Sequence, residues 1–258
     1  MSNRLLALTI VLNLPLLAQA QGGRGGRGGA AATPRASAPI DLNGYWVSIV
    51  NEDWRFRMVT PAPGDYQGVP MTAESRKVAD AWDPAKDETA GEQCKSYGAP
   101  ALLRAPGHLR FSWADDQTLK LETDAGTQTR LFHFGDWKAP AGPPSLQGDS
   151  VAAWETPAAG RGGSPQADAP PQGKGTLKVT TTHLKAGYLR KNGVPYSENA
   201  TLLEYFDMIK EQNGEIMLVV TTVTTDPQYL REPFIITSHF KRQAGDEGWK
   251  LSPCSARW

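Results

Sequence analysis

Four histidines are the residues of this chain best suited to acid–base or metal chemistry: His108, His133, His183 and His239. His133, His183 and His239 fall within strand-like runs. With Glu204 beside them they would offer a divalent cation neutral imidazoles and a carboxylate. No pair has the close spacing of a motif such as H-E-x-x-H. Such a site would depend wholly on convergence in space, and the alternative is ordinary strand histidines hydrogen-bonded to their neighbours. The expectation is no metal. A second cluster surrounds the turn Asn192-Gly193: Tyr188, Arg190 and Lys191 precede it, and Tyr196, Ser197 and Glu198 follow it. A cavity mouth built from Tyr, Arg and Glu suits a polar or aromatic ligand, whereas the same residues also suit a solvated loop. The candidate ligand-binding residues are Tyr188, Arg190, Tyr205 and His133. If desolvated together, His183, Tyr188, Glu204 and His239 form a candidate acid–base set.

Other chemistries lack their signatures. Ser48, Ser150 and Ser238 stand in no G-x-S-x-G elbow, which disfavours serine hydrolysis. Glu52, Asp53 and Glu155 would supply paired carboxylates, but nothing in the sequence sets a separation between them. No G-x-G-x-x-G lies between a strand and a helix, and no cofactor is predicted.

The elements that must position these side chains are strands. Residues 176–240 hold four apolar, β-branched runs separated by turn residues. Leu177, Val179 and Thr181 alternate with Lys178, Thr180 and Thr182, the pattern of a half-buried strand. Leu202, Glu204 and Phe206 share one face of the next run, and Leu203 and Tyr205 the other. Asn213-Gly214 is a strong hairpin signal, and Asp226-Pro227 closes the run 216–223. Phe234, Ile236, Ser238 and Phe240 alternate with Ile235, Thr237 and His239. Residues 108–134 predict a second, three-stranded meander, and 151–155 a short strand that pairs with 177–182. Trp54, Phe56 and Met58 alternate with Arg55 and Arg57, as in a strand. Thr72 caps a predicted helix that ends at Asp83-Pro84, and a further helical turn is predicted over 85–92. The expected fold is all-β with a minor helix: an antiparallel barrel built from two meanders.

The chain has 258 residues, with 27 basic and 27 acidic side chains. A formal net charge of zero singles out neither nucleic acid nor anionic lipid as a partner. Arg4, the apolar run 5–17 and Ala18-Gln19-Ala20 form a secretory signal, with cleavage expected after Ala20 and a periplasmic or secreted product. That run is too short to span a bilayer, which needs roughly 20 apolar residues. Residues 21–40 are a Gly/Arg/Ala-rich tether. A single domain is expected over 41–258, with a low-complexity insertion at 156–175 placed at a hairpin tip. Only two cysteines occur, Cys94 and Cys254. In an exported chain this pair reads as a disulfide.

Gly44-x-Trp46 is similar to the first-strand signature of lipocalins. In that family the tryptophan packs under the barrel floor against a basic residue of a late strand, a role for which Arg257 is the candidate here. The span 94–240 also resembles a broad set of uncharacterised exported bacterial proteins. The resembling pieces are the Cys followed by Gly98-x-Pro100, Trp154-Glu155 before a Thr-rich strand, Ser197-Glu198 before the 203–206 strand, and Asp226-Pro227 with Tyr229 and Pro233. This resemblance implies a lipocalin-like β-barrel and export, and carries no catalytic residues. The leading functional expectation is an exported binding protein for a small apolar or aromatic molecule in a barrel cavity. The alternatives are a cofactor-independent lyase, isomerase or hydrolase and an envelope structural or interaction module. Oligomeric state is left open.

Overall fold

Alternating side chains along the strands build a wall with an apolar inner face. The computed structural model describes residues 32–156 and 175–257. The expected signal peptide, most of the tether and nearly all of the 156–175 tract lie outside the described residues.

Nine strands close into a barrel in the order β1-β11-β10-β9-β6-β5-β4-β3-β2. They are β1 (Gly44–Ile49), β2 (His108–Trp113), β3 (Thr118–Thr123), β4 (Gln128–Phe134), β5 (Asp149–Glu155), β6 (Thr176–Thr182), β9 (Thr201–Lys210), β10 (Ile216–Thr225) and β11 (Phe234–Gln243). Both predicted meanders are present, as β2-β3-β4 and β9-β10-β11. Strand β1 closes the barrel by pairing with β11 on one side and β2 on the other. The join between β4 and β5 is parallel, which the hydrophobic pattern did not indicate. Glu155 pairs with Thr176, so the tract between them connects adjacent ends of an antiparallel pair. A two-stranded ribbon, β7 (Gly187–Tyr188) and β8 (Pro195–Tyr196), sits between β6 and β9 in sequence.

Three short helices, α1 (Ala73–Asp80), α2 (Pro84–Thr89) and α3 (Ala99–Leu102), precede β2. The Thr72 hydroxyl accepts from Ser75 N at 3.1 Å, capping α1 as expected. The strand expected from Trp54, Phe56 and Met58 is instead a single 3-10 turn, Trp54–Phe56. Asp53, at φ 51°, breaks the extended path just before it. Trp54 and Met58 then point to solvent, while Arg57 is buried.

Two apolar cores fill the interior. One contains Trp46, Phe111, Phe132, Phe134, Phe206 and Phe240. Its rings meet edge to face, with Phe111 and Phe206 6.0 Å apart at 86°. The other joins the opposite ends of the strands, through Leu202 and Phe234, to Met71, Ala79, Leu189, Val194 and Tyr196 of the helices and ribbon. A polar belt separates them. On β9 the inward residues run Leu202, Glu204, Phe206, and only the middle one is charged. Thr222 stands directly opposite Glu204 on β10, and buried Thr181 and Ser238 lie one inward position away in register on β6 and β11. Arg130 of β4 crosses the belt to Glu204 as a bidentate pair at 2.9 and 2.6 Å, and both side chains are fully buried. Its Nη2 also donates to Thr181 Oγ1 at 3.1 Å.

Trp46 is wholly buried, and its Nε1 donates to Leu42 O at 2.9 Å. The basic group over its ring is Arg242 of β11, 4.8 Å from the centroid. Arg242 also donates to the carbonyls of Asp41 and Asn43. The expected partner Arg257 lies instead near Glu88, at 3.6 Å. The reason is register: β11 places Arg242 directly opposite Trp46, whereas Arg257 follows the last strand by many residues. Cys94 and Cys254 are disulfide-bonded across a sequence separation of 160.

Candidate functional site

The tip of the β7-β8 ribbon carries Leu189, Arg190 and Lys191 into a cavity. Arg190 O accepts from Gly193 N at 3.2 Å, closing the turn predicted at Asn192-Gly193. Gly193 sits at φ +81°, and a Cβ there would lie 2.2 Å from the Trp82 side chain. Only glycine allows both the left-handed backbone and this close approach. Asn192 is buried and donates its Nδ2 to Ala62 O and Asp65 O, which ties the tip to the 60–68 loop.

Other walls of the cavity come from Phe56 and Arg57 after the first 3-10 turn, Ser96 beside the disulfide, and Ala101, Arg104 and Ala105 at the end of α3. The cavity is small, about 20 Å³. Its lining is strongly cationic: Arg57, Arg104, Arg190 and Lys191 are 2%, 6%, 4% and 7% exposed. Two carboxylates partly balance them. Glu52 pairs with Arg57, and Asp53 Oδ2 lies 2.6 Å from Arg104 Nη2 and 3.8 Å from Arg190 Nη2. The Arg104 contact is a charge pair whose angle is not that of a hydrogen bond.

Two donors at this cluster are left over. Arg57 Nε donates to Arg104 O at 3.0 Å and Arg190 Nη1 to Gln67 O at 2.7 Å. Arg57 Nη2 and Arg190 Nε are buried without an acceptor, and Arg104 Nη2 has only its charge contact with Asp53. Burying a donor unsatisfied costs about 1–3 kcal/mol, more when it is charged. Burial lowers the pKa of Arg57, and pushes Arg190 down to about 10 with help from the nearby Arg104 charge. Lys191 donates to Tyr97 Oη at 2.7 Å, and burial pushes its ammonium down to about 8. Burial likewise raises the Tyr97 phenol, which keeps it neutral.

A larger, open cavity of about 420 Å³ adjoins at the barrel rim. Phe56 and Arg190 line both cavities, and Phe234, Ile235, Ile236, Gln67, Glu52 and Asp53 complete the outer one. The Arg190 guanidinium lies 4.0 Å over the Phe56 ring, a cation–π contact between the two residues that line both cavities. By contrast, the barrel axis is filled by the packed aromatic core and the polar belt.

The sequence candidates are distributed over several places. Arg190 is in the cationic cavity. Tyr188 donates to Asp87 Oδ2 at 2.9 Å, and burial together with that carboxylate pushes its phenol up to about 12. Glu204 points into the barrel and is committed to Arg130. The strand histidines point outward, because their sequence neighbours Phe132, Phe134, Ser238 and Phe240 point in. His133 stacks on Trp137 with centroids 3.9 Å apart, and burial lowers its pKa. His183 pairs with Asp149 at 2.7 Å, and His239 with Glu52 at 2.7 Å. Tyr205 is on the outer face of β9 beneath Lys178. The acid–base set His183, Tyr188, Glu204 and His239 is therefore not brought together. Among the described residues no group of three His, Cys, Asp or Glu side chains could hold a metal. Sequence reasoning missed Arg57, which a strand-like alternation over 54–58 set on the polar face, and Arg104, whose loop has no periodicity to show that it turns inward. Among the described residues no helix is long and apolar enough to cross a membrane. No protein family, curated protein or solved structure matches the chain.

Lys191 makes stability depend on alkaline pH. The folded pKa of about 8 lies below the ordinary value of 10.5, so between them the unfolded chain holds a proton that the folded chain has released. Stability then rises with pH. The cost of burying this ammonium is fully present below pH 8 and is relieved as pH climbs, by about 2 kcal/mol between pH 8 and 10. Above pH 10 the tyrosine Tyr188, neutral in the fold but ionised in the unfolded chain, reverses the trend. Urea denaturation across this range should show the rise, and Lys191→Met should flatten it. A wild-type profile already flat between pH 8 and 10 would contradict the assignment.

Proposed function

We propose that this protein is an exported binding protein for a small apolar or aromatic molecule, and that the ligand occupies the open cavity at the barrel rim. The carrying observation is the pairing of an apolar surface, Phe56, Phe234, Ile235 and Ile236, with a few placed polar groups, Arg190, Gln67 and Glu52. Ligand sites are mostly apolar concavities with a small number of convergent polar groups. Ile235 is 61% exposed although it lines this cavity, an apolar side chain left available at a rim. The disulfide agrees with an oxidising compartment, and the expected signal peptide assigns export. The resemblance of Gly44-x-Trp46 to lipocalins, with Arg242 over the ring, supports the same reading. The single domain over 41–258 with its hairpin-tip insertion belongs to this proposal.

The test is titration with the neutral fluorophore N-phenyl-1-naphthylamine. Saturable one-to-one binding is expected. Ile235→Asp, at an exposed position where folding is not at stake, should weaken it at least tenfold. Binding that is unsaturable, or indifferent to Ile235→Asp, would overturn the rim site.

A further inference from the structure

We infer that the cationic cavity behind the rim is a carboxylate site, so that the ligand class is an aromatic or apolar carboxylic acid, ring at the rim and carboxylate inside. This rests on the rim-cavity reading and extends it. Three buried guanidiniums line one small space, and among the described residues the carboxylates beside them, Glu52 and Asp53, already serve Arg57 and Arg104. Two guanidinium nitrogens at that cluster have no acceptor, Arg57 Nη2 and Arg190 Nε, while Arg104 Nη2 has only its charge contact with Asp53. Buried polar groups in folded proteins are nearly always satisfied, so two orphans on side chains lining one cavity point to an acceptor that binds there. A guanidinium presents its donors in a planar fork that matches a carboxylate.

Size selects among anions. The cavity has about 20 Å³, where one water-sized sphere takes about 10–15 Å³. That is room for one to two oxygen atoms, which the leading edge of a carboxylate can enter and the four oxygens of a phosphate or sulfate exceed. Position selects the rest of the molecule. Arg190 and Phe56 line both cavities, so an acid held by Arg190 would lay its ring along Phe56 and Ile235.

The experiment compares benzoate, benzyl alcohol and inorganic phosphate by calorimetry on the full chain at neutral pH and low salt. Benzoate should bind at least tenfold more tightly than benzyl alcohol, and phosphate should bind least. Arg190→Gln should erase the preference for benzoate while benzyl alcohol still binds. Lys191→Met, with folding checked by circular dichroism, should also reduce benzoate affinity, and Lys191→Arg should restore it in part. Equal binding of benzoate and benzyl alcohol would overturn the carboxylate site and leave the rim cavity standing. Phosphate binding as tightly as benzoate would overturn the choice of carboxylate. Benzoate binding with no affinity for benzyl alcohol, and no response to Ile235→Asp, would keep the anion site and remove the rim reading.

Discussion

Replacing Glu204 by leucine lowers the unfolding free energy by about 3–5 kcal/mol, enough to unfold a marginal domain. Arg130 and Glu204 are both fully buried and face each other across the barrel. Removing the carboxylate leaves a guanidinium with only Thr181 Oγ1 as acceptor, since Arg130 Nε already has none. Breaking a buried pair strands a charge, whereas removing both partners does not. The double variant Arg130→Met/Glu204→Leu should therefore recover much of the loss, because its methylenes join Phe132 and Phe206 on either side. Urea denaturation of the two single variants and the double variant measures the coupling. Additive losses, with no recovery in the double variant, would show that the pair does not act as a unit. The belt has a further consequence. A polar layer helps fix the register of β4 against β3 and of β9 against β6 and β10, since a slip of a single residue would turn Arg130 or Glu204 outward.

The second large effect comes from the disulfide. In the loop-entropy account a crosslink spanning 160 residues stabilises by at most about 5 kcal/mol, with typical measured values nearer 2–4 kcal/mol. Cys94→Ser/Cys254→Ser should lose a comparable amount, read as a lower urea midpoint than the oxidised protein. The loss should reach the candidate site as well. Cys94 immediately precedes the 3-10 turn Lys95–Tyr97, which supplies Ser96 to the cavity wall and Tyr97 to Lys191. The C-terminal tail it holds is itself seated by Ser252, which bridges to Ala125 and accepts from Thr127 at 2.9 Å. A midpoint unchanged by the double substitution would mean that these tail contacts suffice without the crosslink.

The sequence by itself determined the barrel wall. Period-2 alternation in 177–182, 202–206 and 234–240 assigned each side chain to a face, and Asn192-Gly193 and Asn213-Gly214 marked turns, because these signals are local and repeat over several residues. It also carried the disulfide, as the only pairing open to two cysteines. Arg190 was legible as a candidate because it stands beside a turn among other polar groups, and it lines the cationic cavity. The tertiary structure alone decided the rest. Glu204 was assigned to the correct face, but whether that face held a catalytic acid or an ion pair depended on Arg130, which lies 74 residues away. His133 and His239 were correctly placed on strands, but His183 lies just past the end of β6 at φ 57°, and His133 and His239 are kept from Glu204 because the barrel wall separates their faces. Trp54, Phe56 and Met58 kept strand-like spacing, but one left-handed residue, Asp53, redirected the chain into a 3-10 turn. Arg57 is turned inward by that same redirection, and Arg104 reaches the cavity from an irregular segment with no repeat to report it. Their meeting with Arg190 and Lys191 is long-range packing among loops, and no local pattern encodes which loops close on one another.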